Sequence, residues 1–367
     1  MSTSGSDEQD ANIAGSPGIP AARIFNLVMF VVGALALGWL LRNQSWDELR
    51  GHLASVGGWF ALILAIELAA LLCDAAALHA FMRPEARMIP YWRVLGAQSS
   101  GRAINVLTPG GALGEATKLA MLVSHAPRAR VLSSIVLLNL SQVYLSIGLM
   151  LLGIPVTLLL VDLPPAMRVT VGAGLAVVIP VVIALAVLIH RGAVSTIVAL
   201  LRRLRLVSSD RAERWKARLV EVDRHIRELH QNRSAGTWKG LLWVLASKLL
   251  SWTGAVLLLA AIGVPLTAAM ILGVLSIGVL VTWISSAVPL GLGLADGSSY
   301  VLYDLLGATG PQGLVVAMVS RARSLTVAML GLGVMAAMSI ADRFAAARLQ
   351  RKLRELRERA AGAAAPP

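Results

Sequence analysis

Apolar positions in this chain fall in long uninterrupted runs, not in alternation and not on one helical face. Six runs approach the roughly 20 residues a membrane-spanning helix needs: Ile24–Leu41, Trp59–Met82, Val131–Leu160, Met167–His190, Leu241–Ile262 and Val315–Ile340. The second carries Glu67, Asp74 and His79, and the third has Pro155 near its end. Two further regions, 93–123 and 265–307, are apolar enough for a membrane but are broken by Pro and Gly. Residues 1–22 are Ser/Gly/Asp/Ala/Pro-rich and lack periodicity, which reads as a disordered cytosolic tail. They do not read as a signal peptide, because acidic residues stand where its basic stretch would be. Residues 210–230 place Trp215, Leu219, Val222, Ile226 and Leu229 on one helical face among charges. That segment predicts a helix lying on the cytosolic leaflet or packed beneath the bundle, with a regulatory coiled coil as the alternative.

Composition sharpens this picture. Of 367 residues, 57% are hydrophobic and 14% charged, against about 25% charged in an average soluble domain. The mean hydropathy is +0.73. A disordered chain, a disulfide-rich secreted scaffold and an ordinary cytosolic enzyme are excluded. The expected fold is an all-α polytopic membrane protein with about 6–8 transmembrane helices. The lone cysteine, Cys73, cannot form an internal disulfide. His225 and His230 are the nearest approach to a metal motif, and no HExxH or Cys/His cluster occurs. No metal and no cofactor are expected.

The net charge of +13 is concentrated in two places. Residues 191–240 hold twelve Lys/Arg and five Asp/Glu, giving +7, and residues 341–367 hold seven and three, giving +4. In a soluble protein this would raise nucleic acid as a partner. In a membrane protein it marks cytoplasmic loops and contact with anionic lipid, and no nucleic-acid partner is expected. The organisation predicted is a tail (1–22), a membrane domain (23–340) with a basic cytosolic loop (191–240), and a basic cytosolic tail (341–367).

Orientation follows by parity. With 191–240 inside, segment 124–130 is inside, as is the loop holding Arg83, Arg87 and Arg93. Region 93–123 must then start and finish inside, as a re-entrant hairpin. Counting forward to an inside C-terminus, 265–307 must start and finish outside, as a second hairpin entering from the opposite face. If Ala268–Ala287 instead spans by itself, the C-terminus moves outside, against its charge. The hairpin reading gives two copies of opposite orientation, helix–hairpin–helix, a transporter design in which broken helices meet near the midplane.

Both breaks share a plan. The first reads Gly101-Arg102-Ala103-Ile104-Asn105, then Pro109-Gly110-Gly111, then Gly114-Glu115 and Lys118. Pro109 cannot continue a helix, the glycines permit unusual backbone angles, and Glu115 falls in the first turn of the helix that restarts. The second reads Pro289-Leu290-Gly291-Leu292-Gly293-Leu294-Ala295-Asp296, and the last run then carries Arg321 and Arg323. Irregular backbone at membrane depth is tolerated only where it is buried or lines a wet cavity. An ionisable side chain there costs roughly 2.5–3.5 kcal/mol or more. Arg102, Glu115, Lys118, Asp296 and Arg321 or Arg323 are therefore expected to converge on a polar cavity. The plainer alternative is simple pairing, Glu115 with Lys118 and Asp296 with an arginine. Arg321 and Arg323 are two apart, on nearly opposite sides of a helix, so one of them is expected to face the cavity. Glu67 and Asp74 are seven apart on one face. They would neutralise Arg102 or relay protons, or serve as an interhelix hydrogen bond or counter-ion.

At these two motifs the chain resembles the flippase-like integral membrane family typified by the transmembrane half of lysylphosphatidylglycerol synthase, over roughly residues 25–340. The first motif resembles the family's at Asn105, Pro109, Gly110, Gly111, Gly114, Glu115 and Lys118. The second resembles it at Pro289, Gly291, Gly293 and Asp296, followed by Arg321 or Arg323. Leu290 stands where that pattern has a glycine and Asp296 where it has a glutamate, which shortens the reach of the acid. The resemblance implies lipid headgroup translocation in a bacterial inner membrane, with both termini cytoplasmic, and a stand-alone form lacking the soluble aminoacyl-transferring domain. The cargo it implies is an anionic or aminoacylated lipid: a phospholipid, a hopanoid-related lipid or a polyprenyl-linked one. Two rivals remain. An intramembrane lipid phosphatase or headgroup transferase would need a nucleophile, for which Ser99, Ser100, Ser298 and Ser299 lie near the breaks. A non-catalytic membrane partner would recruit a lipid-synthesising enzyme through its basic loop.

Overall fold

The computed structural model describes residues 56–83, 89–108, 112–160, 235–285 and 294–363, with isolated positions 31, 35, 54 and 180. The expected runs Ile24–Leu41 and Met167–His190, the tail 1–22 and the amphipathic segment 210–230 lie outside them. So do Pro109, Gly110, Gly111, Pro289, Gly291 and Gly293.

Among the described residues the chain is eight helices: α1 (Gly58–Phe81), α2 (Tyr91–Leu107), α3 (Ala112–Leu122), α4 (Arg128–Leu160), α5 (Ala235–Ala261), α6 (Ala268–Ser285), α7 (Leu294–Leu305) and α8 (Gly310–Ala363). Four of them, α1, α4, most of α5 and α8 as far as Phe344, are long and apolar enough to cross a membrane. Their apolar residues run all round the helix, as a bilayer demands. Large side chains such as Leu152, Leu159, Leu242 and Met329 are exposed on the outside of the bundle. This is an all-α polytopic membrane fold.

Local sequence accounts for the breaks. Thr108 ends α2 in an extended conformation (φ −116°, ψ 141°), where the following Pro109 disfavours the helical region. Its hydroxyl donates to Ile104 O at 2.7 Å, satisfying one of the helix's last carbonyls. By contrast, nothing after Ile340 stops α8. The Ala-, Arg-, Leu- and Glu-rich stretch is made of strong helix formers, so the helix continues to Ala363.

α1 and α5 run antiparallel. The start of α1 meets the end of α5 through Ile63 and Leu258, and Gly236, at the start of α5, lies against Ala80 O and Arg83 at the end of α1. α2 and α3 form one hairpin and α6 and α7 another. The two close at opposite ends of the bundle. Val94 at the start of α2 and Leu122 near the end of α3 share a core with Phe81 and Val131. Met270 at the start of α6 shares a core with Leu306, just beyond α7, and with Leu259 and Val264.

The hairpins are exchanged between the halves. α2 packs along α8, and α6 along α4. Both crossings use a glycine. Gly331 of α8 admits the backbone of Ser99, and Gly153 of α4 admits Ser276, whose Cβ would sit 2.8 Å from an added methyl group. Small residues at such crossings let helices approach where lipid supplies no hydrophobic drive. In both series, α1–α2–α3–α4 and α5–α6–α7–α8, the second helix thus packs along the last helix of the other half.

Candidate functional site

Where the two hairpins approach α1, α5 and α8, the bundle holds a half-open cavity of about 610 Å³. Its basic wall is Arg102, Lys248, Arg321 and Arg323. Glu67 and Asn105 also face it, with hydroxyls from Thr108, Ser251, Thr282, Ser299, Ser320 and Ser324. Trp252, Tyr303 and aliphatic side chains of α6 complete the lining. An apolar enclosure with a few convergent polar groups is the usual form of a small-ligand site.

Three charge clusters build the polar part. In the first, Glu67 of α1 stands between two arginines. Arg102 Nη2 donates to Glu67 Oε1, and Arg323 Nη1 lies 3.4 Å from Glu67 Oε2. Arg102 Nη1 is also 3.7 Å from Asp74 Oδ2. Asp74 is 2% exposed and accepts from Gln142 Nε2 at 2.8 Å. Such burial requires partners of this kind, because an unpaired carboxylate in this setting would cost several kcal/mol.

The second cluster closes the far side. Arg321 Nη2 donates to both oxygens of Asp296, at 2.7 and 2.8 Å, and Nη1 lies 3.4 Å from Met318 Sδ. Nε of Arg321 is buried with no hydrogen-bond partner among the described residues. Asp296 sits in the first turn of α7, where the helix dipole favours a carboxylate.

The third cluster ties the first hairpin together. Asn105 on α2 accepts from the Gly114 backbone N–H of α3 at 2.7 Å and donates to Glu115 Oε1 at 2.9 Å. Lys118 Nζ donates to the same oxygen at 2.9 Å. Asn105 thereby serves one of the unpaired N–H groups at the start of α3. Gly114 allows this close approach of Asn105 and the Gly101 carbonyl, and the Lys118 stem lies against Gly101.

Of the candidate site residues, some line the cavity and others stand behind it. Arg102, Asn105, Arg321, Arg323 and Glu67 line the cavity. Asp74 and Asp296 stand behind it, each reached through an arginine. Gly114, Glu115 and Lys118 form the support behind Asn105 and do not line it. One expectation is corrected. Arg321 and Arg323 both face the cavity, because their long stems reach round α8 to acids on two different helices, Asp296 and Glu67. Of the serines near the breaks, Ser299 lines the cavity, whereas Ser99 and Ser100 are buried and donate back to Leu95 O and Gly96 O.

Sequence reasoning missed Lys248. It lies inside an apolar run taken as a plain span, and its Nζ donates to Ser146 Oγ at 2.9 Å. The signal was present, since an ammonium in the middle of a spanning helix is costly and marks a functional position by default. Trp252, one turn further along α5, was missed with it.

A family model described as lysylphosphatidylglycerol synthase TM region matches residues 26–359. The chain belongs to that family. The match covers the described helices as far as residue 359, with both hairpins and the cavity, so the family's membrane domain is what the geometry above describes. No match was found among the curated proteins or among the solved structures. Family membership makes this a membrane protein of lipid metabolism.

Proposed function

We propose that this protein is a lipid flippase, moving the headgroup of an anionic or aminoacylated lipid across a bacterial inner membrane. The observation that carries the reading is the cavity itself. Four basic side chains are gathered between two opposed helical hairpins, inside a bundle whose outer surface is apolar. Charge placed at membrane depth is costly, and an anionic headgroup passing through repays that cost by pairing with it.

In this reading α2–α3 and α6–α7 are re-entrant, entering from the cytoplasmic and outer faces respectively, with both termini cytoplasmic. Their lengths support this. At 1.5 Å per residue, α3 and α7 extend about 16 and 18 Å, well short of a bilayer's hydrocarbon thickness of about 30 Å. Arg102, Arg321, Arg323 and Lys248 hold the headgroup phosphate. Glu67, Asp74 and Asp296 keep the three arginines paired when the cavity is empty. Rocking of one repeat against the other would expose the cavity to each face in turn, while acyl chains remain in lipid.

Transport is favoured over catalysis because, among the described residues, the cavity hydroxyls have no activating base. Ser299 lines the wall, and among those residues no histidine lines it, while the lining carboxylate Glu67 is engaged by two arginines. The test is headgroup translocation in reconstituted vesicles, read as the fraction of fluorescent lipid protected from a quencher that cannot cross the membrane. The intact protein should equilibrate the label between leaflets, and Arg102→Ala should abolish this at equal protein abundance. Equal rates in the variant and the intact protein would remove Arg102 from the mechanism, and phosphate release from a lipid phosphate by the pure protein would replace transport with catalysis.

A further inference from the structure

The charged groups of the cavity are unequally committed. Its carboxylates are saturated. Glu67 is engaged at Oε1 by Arg102 and at Oε2 by Arg323. Asp296 has both oxygens on Arg321, and Asp74 has one oxygen on Gln142 and the other facing Arg102. Glu115 Oε2 is a carboxylate oxygen without a hydrogen-bond partner among the described residues, but it belongs to the support behind Asn105 and does not line the cavity.

The donors are not saturated. Among the described residues Arg321 Nε has no hydrogen-bond partner, in a side chain only 4% exposed. Lys248 has three N–H donors; among the described residues Ser146 takes one, and no carboxylate stands within ion-pair distance. Counting the wall and its supports, four cations (Arg102, Lys248, Arg321, Arg323) face three carboxylates (Glu67, Asp74, Asp296), an excess of one positive charge.

We infer that the cavity selects a phosphate-bearing lipid headgroup that carries no amino group, and discriminates against an aminoacylated one. The inference rests on the transport reading above and narrows its cargo. A phosphodiester brings one negative charge, which matches the excess, and oxygens that accept from the remaining N–H donors of Lys248 as charge-assisted hydrogen bonds. A lysyl ester adds two ammonium groups and turns the headgroup's net charge positive. Those ammoniums would meet no uncommitted carboxylate in the wall, only like charge, and would lose water without recompense. Ser251, Ser320 and Ser324, on the same lining, suit the hydroxyls of a glycerol or sugar headgroup instead.

The experiment compares two water-dispersible probes, dioctanoyl phosphatidylglycerol and dioctanoyl lysylphosphatidylglycerol, binding to the full chain in detergent micelles, read by titration calorimetry. The phosphatidylglycerol should bind about tenfold tighter or more, the value of one charge-assisted hydrogen bond. Lys248→Gln should remove most of that preference, weakening the anionic lipid strongly and the lysylated one little, because for the latter the lost phosphate contact is offset by relief of like-charge repulsion. Equal or tighter binding of the lysylated lipid overturns the inference, as does failure of both to bind; the comparison on the unaltered protein stands even if the variant does not fold. Flux of the same lipids in vesicles separates this inference from the transport reading. A binding preference without flux defeats transport alone, and equal flux of both lipids defeats the selectivity alone.

Discussion

Glu67 and Arg323 join the two halves of the protein at the cavity wall, with Arg323 Nη1 3.4 Å from Glu67 Oε2. Glu67 belongs to α1, in the first repeat, and Arg323 to α8, in the second. The other oxygen of Glu67 is held by Arg102 of the first repeat. One carboxylate therefore couples the halves whose relative motion the transport mechanism requires. Truncating one partner of a buried pair costs about 3 kcal/mol, mainly through the charge left behind. Glu67→Ala should lower stability by about that amount in detergent-unfolding measurements, and the double variant Glu67→Ala/Arg323→Ala should lose less than the sum of the singles. Additive losses would mean that the two side chains do not interact.

Asp296 and Arg321 make the second such contact, within the α7–α8 half. Asp296→Asn leaves Arg321, 5% exposed, without its counter-charge. Lipid flux should fall at least about tenfold, with a loss of roughly 3 kcal/mol in stability. The exchanged pair Asp296→Arg/Arg321→Asp should recover abundance in the membrane more than it recovers flux, because the pair is restored while the cavity loses the unpartnered Arg321 Nε.

The helix crossings give a prediction independent of charge. An added side chain at Gly331 would strike the Ser99 carbonyl and Ala103, whereas Gly333, on the same helix, has nothing within 4 Å. Gly331→Val should destabilise by about 1–3 kcal/mol as forced overpacking does, and Gly333→Val should change the melting temperature little. Gly153→Val, facing Ser276 at the matching crossing of α4 and α6, should resemble the first and not the second. Equal effects at 331 and 333 would contradict the exchanged packing of the hairpins.

His125, in the turn between α3 and α4, is the place to look for pH dependence outside the spanning helices. Partial burial and the neighbouring Arg93 guanidinium hold its imidazole below the usual value of 6.5, against a smaller opposing effect of Asp342. A lowered folded value means that the unfolded chain binds more protons as pH falls below 6.5. Stability is then fully present above 6.5 and declines as pH drops toward the folded value. The melting temperature should fall over that window, and His125→Gln should flatten the change.

Run lengths in hydropathy mark the four spanning helices of the described residues, at Trp59–Met82, Val131–Leu160, Leu241–Ile262 and Val315–Ile340. Pro109, through its effect on Thr108, marks where α2 must end. The pairing of Glu115 with Lys118 was readable because both lie on one helix, three residues apart. What could not be read is which side chains meet across helices. Arg323 with Glu67, and Lys248 with Ser146, are separated by long stretches of chain, and their contacts depend on helix rotation. Periodicity does not specify that rotation when a helix is apolar all round. The same reason explains the two arginines of α8, whose angular separation suggested one cavity-facing residue. Flexible stems and acids on two neighbouring helices bring both to the cavity.

The central claim is that one cavity serves both faces of the membrane. It is tested most directly by single cysteines at Thr108 and Ser299, which line the cavity from the two hairpins, in a background carrying Cys73→Ala. A membrane-impermeant maleimide applied to right-side-out and to inside-out vesicles should label both positions from both faces, with rates that change when the transported lipid is supplied. Labelling of both positions from the same single face under every condition would contradict alternating access.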